Sequence, residues 1–129
     1  MNEPKPLIYI ASPYTKGDPA INVAFQMDVF HRMLDDGLAT PYVPLLSHFL
    51  HIYQPREYSD WMRHDFEILH KCDAVVRLMS RYEPLDYVED KSMGADAEED
   101  YALEIGIPVF KSLDEVYAWL PSWVAGRVC

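Results

Sequence analysis

Leu7-Ile8-Tyr9-Ile10-Ala11-Ser12-Pro13-Tyr14 reads as a strand that runs into a turn. Its first five residues are apolar without interruption. A strand with one wet face would alternate, so this run fits a strand covered on both faces. Ser12 and Pro13 end it, and residues 12–19, with Gly17 and Pro19, read as a loop.

Beyond this stretch the chain changes period. A helix is expected over residues 20–35, with Val23, Met27, Phe30 and Leu34 as its apolar stripe and Gly37 as its stop. A short second strand is expected over 39–43, interrupted by Pro41 and bounded by Pro44. Residues 45–57 carry His48 and His51 and read as loop with a helical turn. A helix over 58–71 leads to a third strand, Asp73-Ala74-Val75-Val76-Arg77-Leu78-Met79. Residues 80–91 are polar, contain Pro84 and read as a mobile loop. Ser92 or Met93 opens a helix to about residue 105, where Gly106 serves as its cap. A fourth strand over 107–110 and a helix over 112–120 complete the pattern. Strands that alternate with helices imply an α/β domain with a parallel sheet covered on both faces. In such sheets ligands sit at the carboxyl ends of the strands.

The 129 residues suit one domain, 1–129, and half of them are hydrophobic, which argues against disorder. Lys plus Arg number 11 and Asp plus Glu 21, for a formal charge of −10. That balance repels long nucleic acids but allows one small anion held by local amides. No apolar run approaches a membrane span, and the start Met1-Asn2-Glu3-Pro4-Lys5-Pro6 lacks the features of a secretory signal. A cytoplasmic protein with no membrane contact is expected. Cys72 and Cys129 lie far apart, and no His/Cys cluster has ligand spacing, so neither a disulfide framework nor a metal site is expected.

Two carboxylates fall on the wrong side of their helices. At about 100° per residue, Glu98 shares a face with Gly94, Ala95, Tyr101, Ala102 and Ile105, while Asp96, Glu99, Asp100 and Glu104 point elsewhere. Asp65 likewise shares a face with Tyr58, Trp61, Met62, Ile68, Leu69 and Cys72, while Arg63, Glu67, His70 and Lys71 point away. Burying a carboxylate is costly unless it is paired. Each acid could be satisfied by a buried partner; two of them near strand ends favour a site. Paired carboxyls are what cleavage of a glycosidic bond needs, one to meet the cationic sugar carbon and one to manage a proton. Glu98 also lies in the first turns of its helix, where the dipole favours the anion.

Other residues admit two readings from pattern alone. Ser92-Met93-Gly94-Ala95 is an N-cap or a phosphate seat. Ser12-Pro13-Tyr14 is neither a Walker loop nor a dinucleotide fingerprint. Lys16 reads as a solvated surface lysine or an anion contact, and Tyr9 as a core or site tyrosine. His48 and His51 are surface or ligand-touching, and Trp61 is core or a stacking platform. Tyr117, Trp119 and Trp123 form packing or an oligomer interface.

Taken in order, these pieces resemble the nucleoside 2-deoxyribosyltransferase-like superfamily. The resemblance rests on Tyr9-Ile10-Ala11-Ser12-Pro13-Tyr14, Asn22, Gly37, Pro44, Asp60-Trp61, Asp65 to Leu69, Cys72 to Val76, Ser92-Met93-Gly94-Ala95, Glu98, Ala102 and Gly106-Ile107-Pro108-Val109. It implies a single-domain Rossmann-like or flavodoxin-like three-layer sandwich with four to five mostly parallel strands. It implies a catalytic glutamate at Glu98, an aspartate for proton transfer or substrate orientation at Asp65, and an orienting tyrosine at Tyr9. Ser92 and Gly94 would contact a 5′-phosphate, with Ser12, Pro13, Tyr14, Asn22, His48 and Trp61 around the substrate. The serine–proline–tyrosine turn and the long loop over 80–91 depart from the family's monophosphate hydrolases, which leaves the substrate's identity open. The expected function is cleavage of an N-glycosidic bond in a nucleoside or nucleoside 5′-monophosphate, by hydrolysis or transfer, without a cofactor, in a homodimer or larger homo-oligomer. The alternative is a nucleotide-binding module without turnover.

Overall fold

The computed structural model describes residues 4–14, 18–78 and 93–127. The expectations for residues 15–17, 79–92 and 128–129 lie outside the described residues. These include the rest of the loop after Tyr14 with Lys16, the end of the third strand, the loop over 80–91, Ser92 and Cys129.

The first strand, β1 (Leu7–Ala11), is the centre of a four-stranded parallel sheet of order β2-β1-β3-β4, with β2 at Thr40–Tyr42, β3 at Ala74–Arg77 and β4 at Val109–Phe110. Tyr9 pairs with Tyr42 on one side and Val75 on the other; Val76 pairs with Phe110. The chain leaves β1 in one direction to form β2 and returns on the other side to form β3. The β1/β3 boundary is therefore the topological switch point, where a crevice opens beyond the carboxyl ends.

Side chains alternate across the pleat, and so divide the core in two. Ile8, Ile10, Ala74 and Val76 meet Met33 of α1 (Pro19–Asp36) and Val116 of α5 (Leu113–Arg127) on one face. Tyr9, Ala11 and Val75 meet Leu69 of α3 (Tyr58–Leu69) and Ala95 and Ala102 of α4 (Met93–Glu104) on the other. The three-layer α/β expectation is met, with four strands. Among the described residues no helix is long and apolar enough to cross a membrane.

Local chemistry sets the element ends. Asp18 accepts from the amides of Ala20 (2.9 Å) and Ile21 (3.4 Å), and Pro19 follows it at the first helical position. Gly37 ends α1 at φ 69° and returns its N–H to the Met33 carbonyl. Gly106 turns the chain after α4 at φ 85°.

Four details differ from the sequence expectation. Residues 45–57 hold a 3-10 turn (Pro44–Leu46) and a seven-residue helix, α2 (Ser47–Tyr53). In α1 the inward position belongs to Met33, whereas Leu34 is 52% exposed; Asn22 and Gln26 share the buried face. The strand expected over 107–110 pairs only at Val109–Phe110. The last helix continues past Pro121 to Arg127, because a proline removes one helical hydrogen bond without ending the packing on either side. There Trp119 packs on Phe110 (5.3 Å between centroids), Tyr117 donates to Asp36 Oδ2 (2.6 Å), and Arg127 covers Trp123.

Candidate active site

A cleft of about 350 Å³ opens beyond β1, between α2, α3 and the first turns of α4. Its depth is set by one residue from each of three elements. Tyr9 is in β1 and fully buried; Asp65 of α3 and Glu98 of α4 are 7% and 5% exposed. Period-2 alternation turns Tyr9 toward α3 and α4, and the helical stripes turn both acids back toward it. The Tyr9 hydroxyl donates to Glu98 Oε2. Asp65 and Glu98 both line the cleft, and Asp65 Oδ1 is buried with no hydrogen-bond partner among the described residues.

Burial dominates the electrostatics. It lifts Asp65 to about 7. It lifts Glu98 to about 8, against the hydrogen bond from Tyr9 and the charge of Arg77, and with help from Asp65. Tyr9 is pushed well above its ordinary value, first by burial and then by Glu98, so it remains a donor. Tyr42, stacked at a tilt 5.6 Å from Tyr9, is raised to about 12 by burial and by Asp65. Two carboxyls that titrate between about 7 and about 8 carry one proton between them near neutral pH. An acid and a base are then present together.

The walls are aromatic and apolar. Tyr58, Trp61 and Met62 of α3 line the cleft, together with Leu45 and Tyr14. A methyl group added at Gly94 would meet the Tyr58 hydroxyl at 3.7 Å and Met62 Sδ at 3.9 Å, which places the start of α4 directly against that wall. Two histidines on α2 face inward and are tied down. The Tyr14 hydroxyl and His48 Nδ1 lie 2.6 Å apart. His51 Nδ1 accepts from Trp61 Nε1 (2.9 Å) and from the Arg56 amide (3.2 Å).

Of the residues expected at the site, Tyr9, Asp65 and Glu98 come together, and Ser12, Tyr14, His48, Trp61 and Gly94 line the cleft. Pro13 is buried behind it. Asn22 acts from outside, donating to the Tyr14 carbonyl at 2.8 Å and so holding the turn. Ser92 lies outside the described residues.

Two supporting residues were not anticipated. Gln26, fully buried, donates to the Ile10 carbonyl (3.0 Å) and Ser12 Oγ (2.9 Å) and accepts from the Leu45 amide (2.9 Å). It ties the end of β1 to the 3-10 turn that follows β2. Its signal was polar spacing: Asn22 and Gln26 sit four apart, beside the stripe of an otherwise amphipathic helix. Arg77 closes β3, is 4% exposed, and pairs with Asp96 (3.0 Å) and Glu99 (3.9 Å) on either side of Glu98. Its signal was a charge inside an apolar strand. Compared with protein-family models and with curated proteins, the chain matches none.

Proposed function

We propose that this protein cleaves the N-glycosidic bond of a nucleoside or nucleoside 5′-monophosphate, passing the sugar to water or to another base. The observation that carries the reading is the buried carboxyl pair: Glu98, anchored by Tyr9, beside Asp65, whose Oδ1 has no hydrogen-bond partner among the described residues, in an aromatic-walled cleft at the switch point.

Even with the hydrogen bond from Tyr9 and the charge of Arg77 acting against it, burial leaves Glu98, at about 8, above Asp65, at about 7. The reading therefore requires bound substrate to move the shared proton from Glu98 to Asp65, with the Tyr9 hydrogen bond and the Arg77 charge helping to hold the anion that forms on Glu98. Tyr9 occupies Oε2, which leaves Oε1 for attack. Glu98 forms a bond to C1′ as the bond from C1′ to the base nitrogen breaks, and the base takes the proton from Asp65. Asp65, now ionised, takes a proton from water as that water attacks C1′ and frees Glu98. A base nitrogen in place of water gives transfer. No step requires a cofactor. Arg56 and the α4 start at Gly94, both lining the cleft, support a 5′-phosphate on the substrate. Assembly into a homodimer or larger homo-oligomer is part of the same reading, and light scattering on the purified protein tests it.

The direct test incubates the protein with a panel of nucleosides and nucleoside 5′-monophosphates and follows free base by chromatography. Base should accumulate with the wild type and be lost with Glu98→Gln and Glu98→Ala. Full activity in both variants overturns the assignment of the nucleophile. Tight nucleotide binding with no base released makes the protein a nucleotide-binding module instead.

A further inference from the structure

His51 lines the cleft with one ring nitrogen already committed. Nδ1 accepts from Trp61 Nε1 at 2.9 Å and from the Arg56 backbone amide at 3.2 Å. An indole N–H and a backbone N–H can only donate, so Nδ1 holds no hydrogen and the ring proton sits on Nε2. The Trp61 ring meets the imidazole edge-on, 5.9 Å between centroids at 67°, which fixes its plane as well as its tautomer. The result is a neutral, oriented N–H donor in a cleft whose deep polar groups are carboxyls. Around it Trp61, Met62 and Tyr58 form a wall suited to a flat ring.

We propose that His51 is a specificity-determining residue that donates from Nε2 to an acceptor on the edge of the leaving base, a carbonyl oxygen or a ring nitrogen, with Trp61 and the Arg56 amide as the groups that set its tautomer. This rests on the glycosidase reading for the identity of the ligand, but not for the state of the ring. A neutral donor set in an aromatic wall suits a heterocycle rather than a phosphate, which would call on charge. The arrangement favours substrates that present an acceptor there, because a base that offers N–H instead would set two donors against each other.

Two measurements on the full-length protein test it. Long-range proton–nitrogen NMR, with the His51 signals identified by their loss in His51→Gln, should show the Nε2–H tautomer; an Nδ1–H ring overturns the proposal. Calorimetry with free bases, nucleosides and deoxyribose 5-phosphate then locates the contact without any need for turnover. His51→Phe should weaken base and nucleoside binding roughly tenfold and leave the sugar phosphate unaffected. His51→Gln, which restores an N–H near the same place, should recover most of that loss. If His51→Phe binds bases as the wild type does, or if the sugar phosphate alone is weakened, the assignment to the base is wrong. Base binding that depends on His51 without any base release would break the glycosidase reading and leave this one standing. Base release with an unchanged KM in His51→Phe would do the reverse.

Discussion

The two faces of the sheet are made by the same strands and differ in kind. On one, Ile8, Ile10, Ala74 and Val76 pack against Met33 and Val116, all apolar. On the other, the alternate residues Tyr9 and Arg77 meet Glu98 and its neighbours Asp96 and Glu99 on α4, with Asp65 beside them on α3. A one-residue step along β1 or β3 passes from hydrocarbon to titrating groups. The lesson is that both sides carry apolar packing, with Leu69, Val75, Ala95 and Ala102 around the polar groups, but among the described residues the buried carboxyls lie on one side alone, and substitutions on the two sides should separate accordingly.

The largest expected effect breaks chemistry alone. Glu98→Gln should lower base release by roughly 10³-fold or more while the protein stays folded. Its counterpart across the sheet is Met33→Ala, which removes a fully buried side chain and should lower unfolding free energy by about 2–5 kcal/mol in a denaturant titration. Below the unfolding transition, its base release per folded molecule should stay near wild type. A Met33→Ala protein that is folded but inactive would show that the two faces are coupled.

Asp65→Asn sharpens the comparison, because on the polar side function should oppose stability. Burial raises Asp65 to about 7 in the folded protein. A carboxyl whose folded pKa lies above its unfolded value keeps its stability at low pH. It loses stability as pH rises from about 4, and the loss is complete once pH passes the folded value. Replacing the acid with its amide should therefore change thermal stability little at pH 4. The relative gain should grow to the order of a few kcal/mol by pH 8.5. Activity should move the other way: wild-type base release should peak between about 7 and about 8, where the pair holds one proton, and Asp65→Asn should lose the alkaline fall of that profile.

How much of this contrast was legible in the sequence follows from what each residue meets. The unbroken run Leu7–Ala11 and the helical periods were enough for the sheet and its layers, and the inward faces of Asp65 and Glu98 followed from about 100° per residue. The short helix α2 was not legible as a helix, because Phe49, Leu50 and Ile52 are all at least half exposed and leave no buried stripe to read. Gln26 and Arg77 were missed because a polar residue in an amphipathic pattern is ordinarily solvated. Their partners lie far along the chain, Leu45 for Gln26 and Asp96 for Arg77. Periodicity tells which way a side chain points, and only the tertiary fold tells what waits there.

A smaller effect is expected from Tyr9→Phe, which keeps the packing and removes the donor to Glu98. A hydrogen bond to a charged group contributes about 1.5–3 kcal/mol, so base release should fall roughly 10- to 100-fold. Without that donor Glu98 is harder to ionise, and the acid side of the profile should move to higher pH. A fall in rate with no such movement would mean that Tyr9 holds the geometry of Glu98 rather than its charge.

The smallest effect asks how far the polar side extends. Lys111 grips both oxygens of Glu99 at 2.8 Å, and Glu99 in turn approaches Arg77, whose charge favours ionised Glu98. Lys111 is exposed, so Lys111→Met should cost less than about 1 kcal/mol of stability. Solvent screens the pair, and the acid side of the base-release profile should stay within about 0.3 of a pH unit of wild type. A larger upward movement would show that the chain of charges from Lys111 through Glu99 and Arg77 acts on Glu98 as one unit. The boundary between surface and site would then lie at the outer face of α4 rather than at the floor of the cleft.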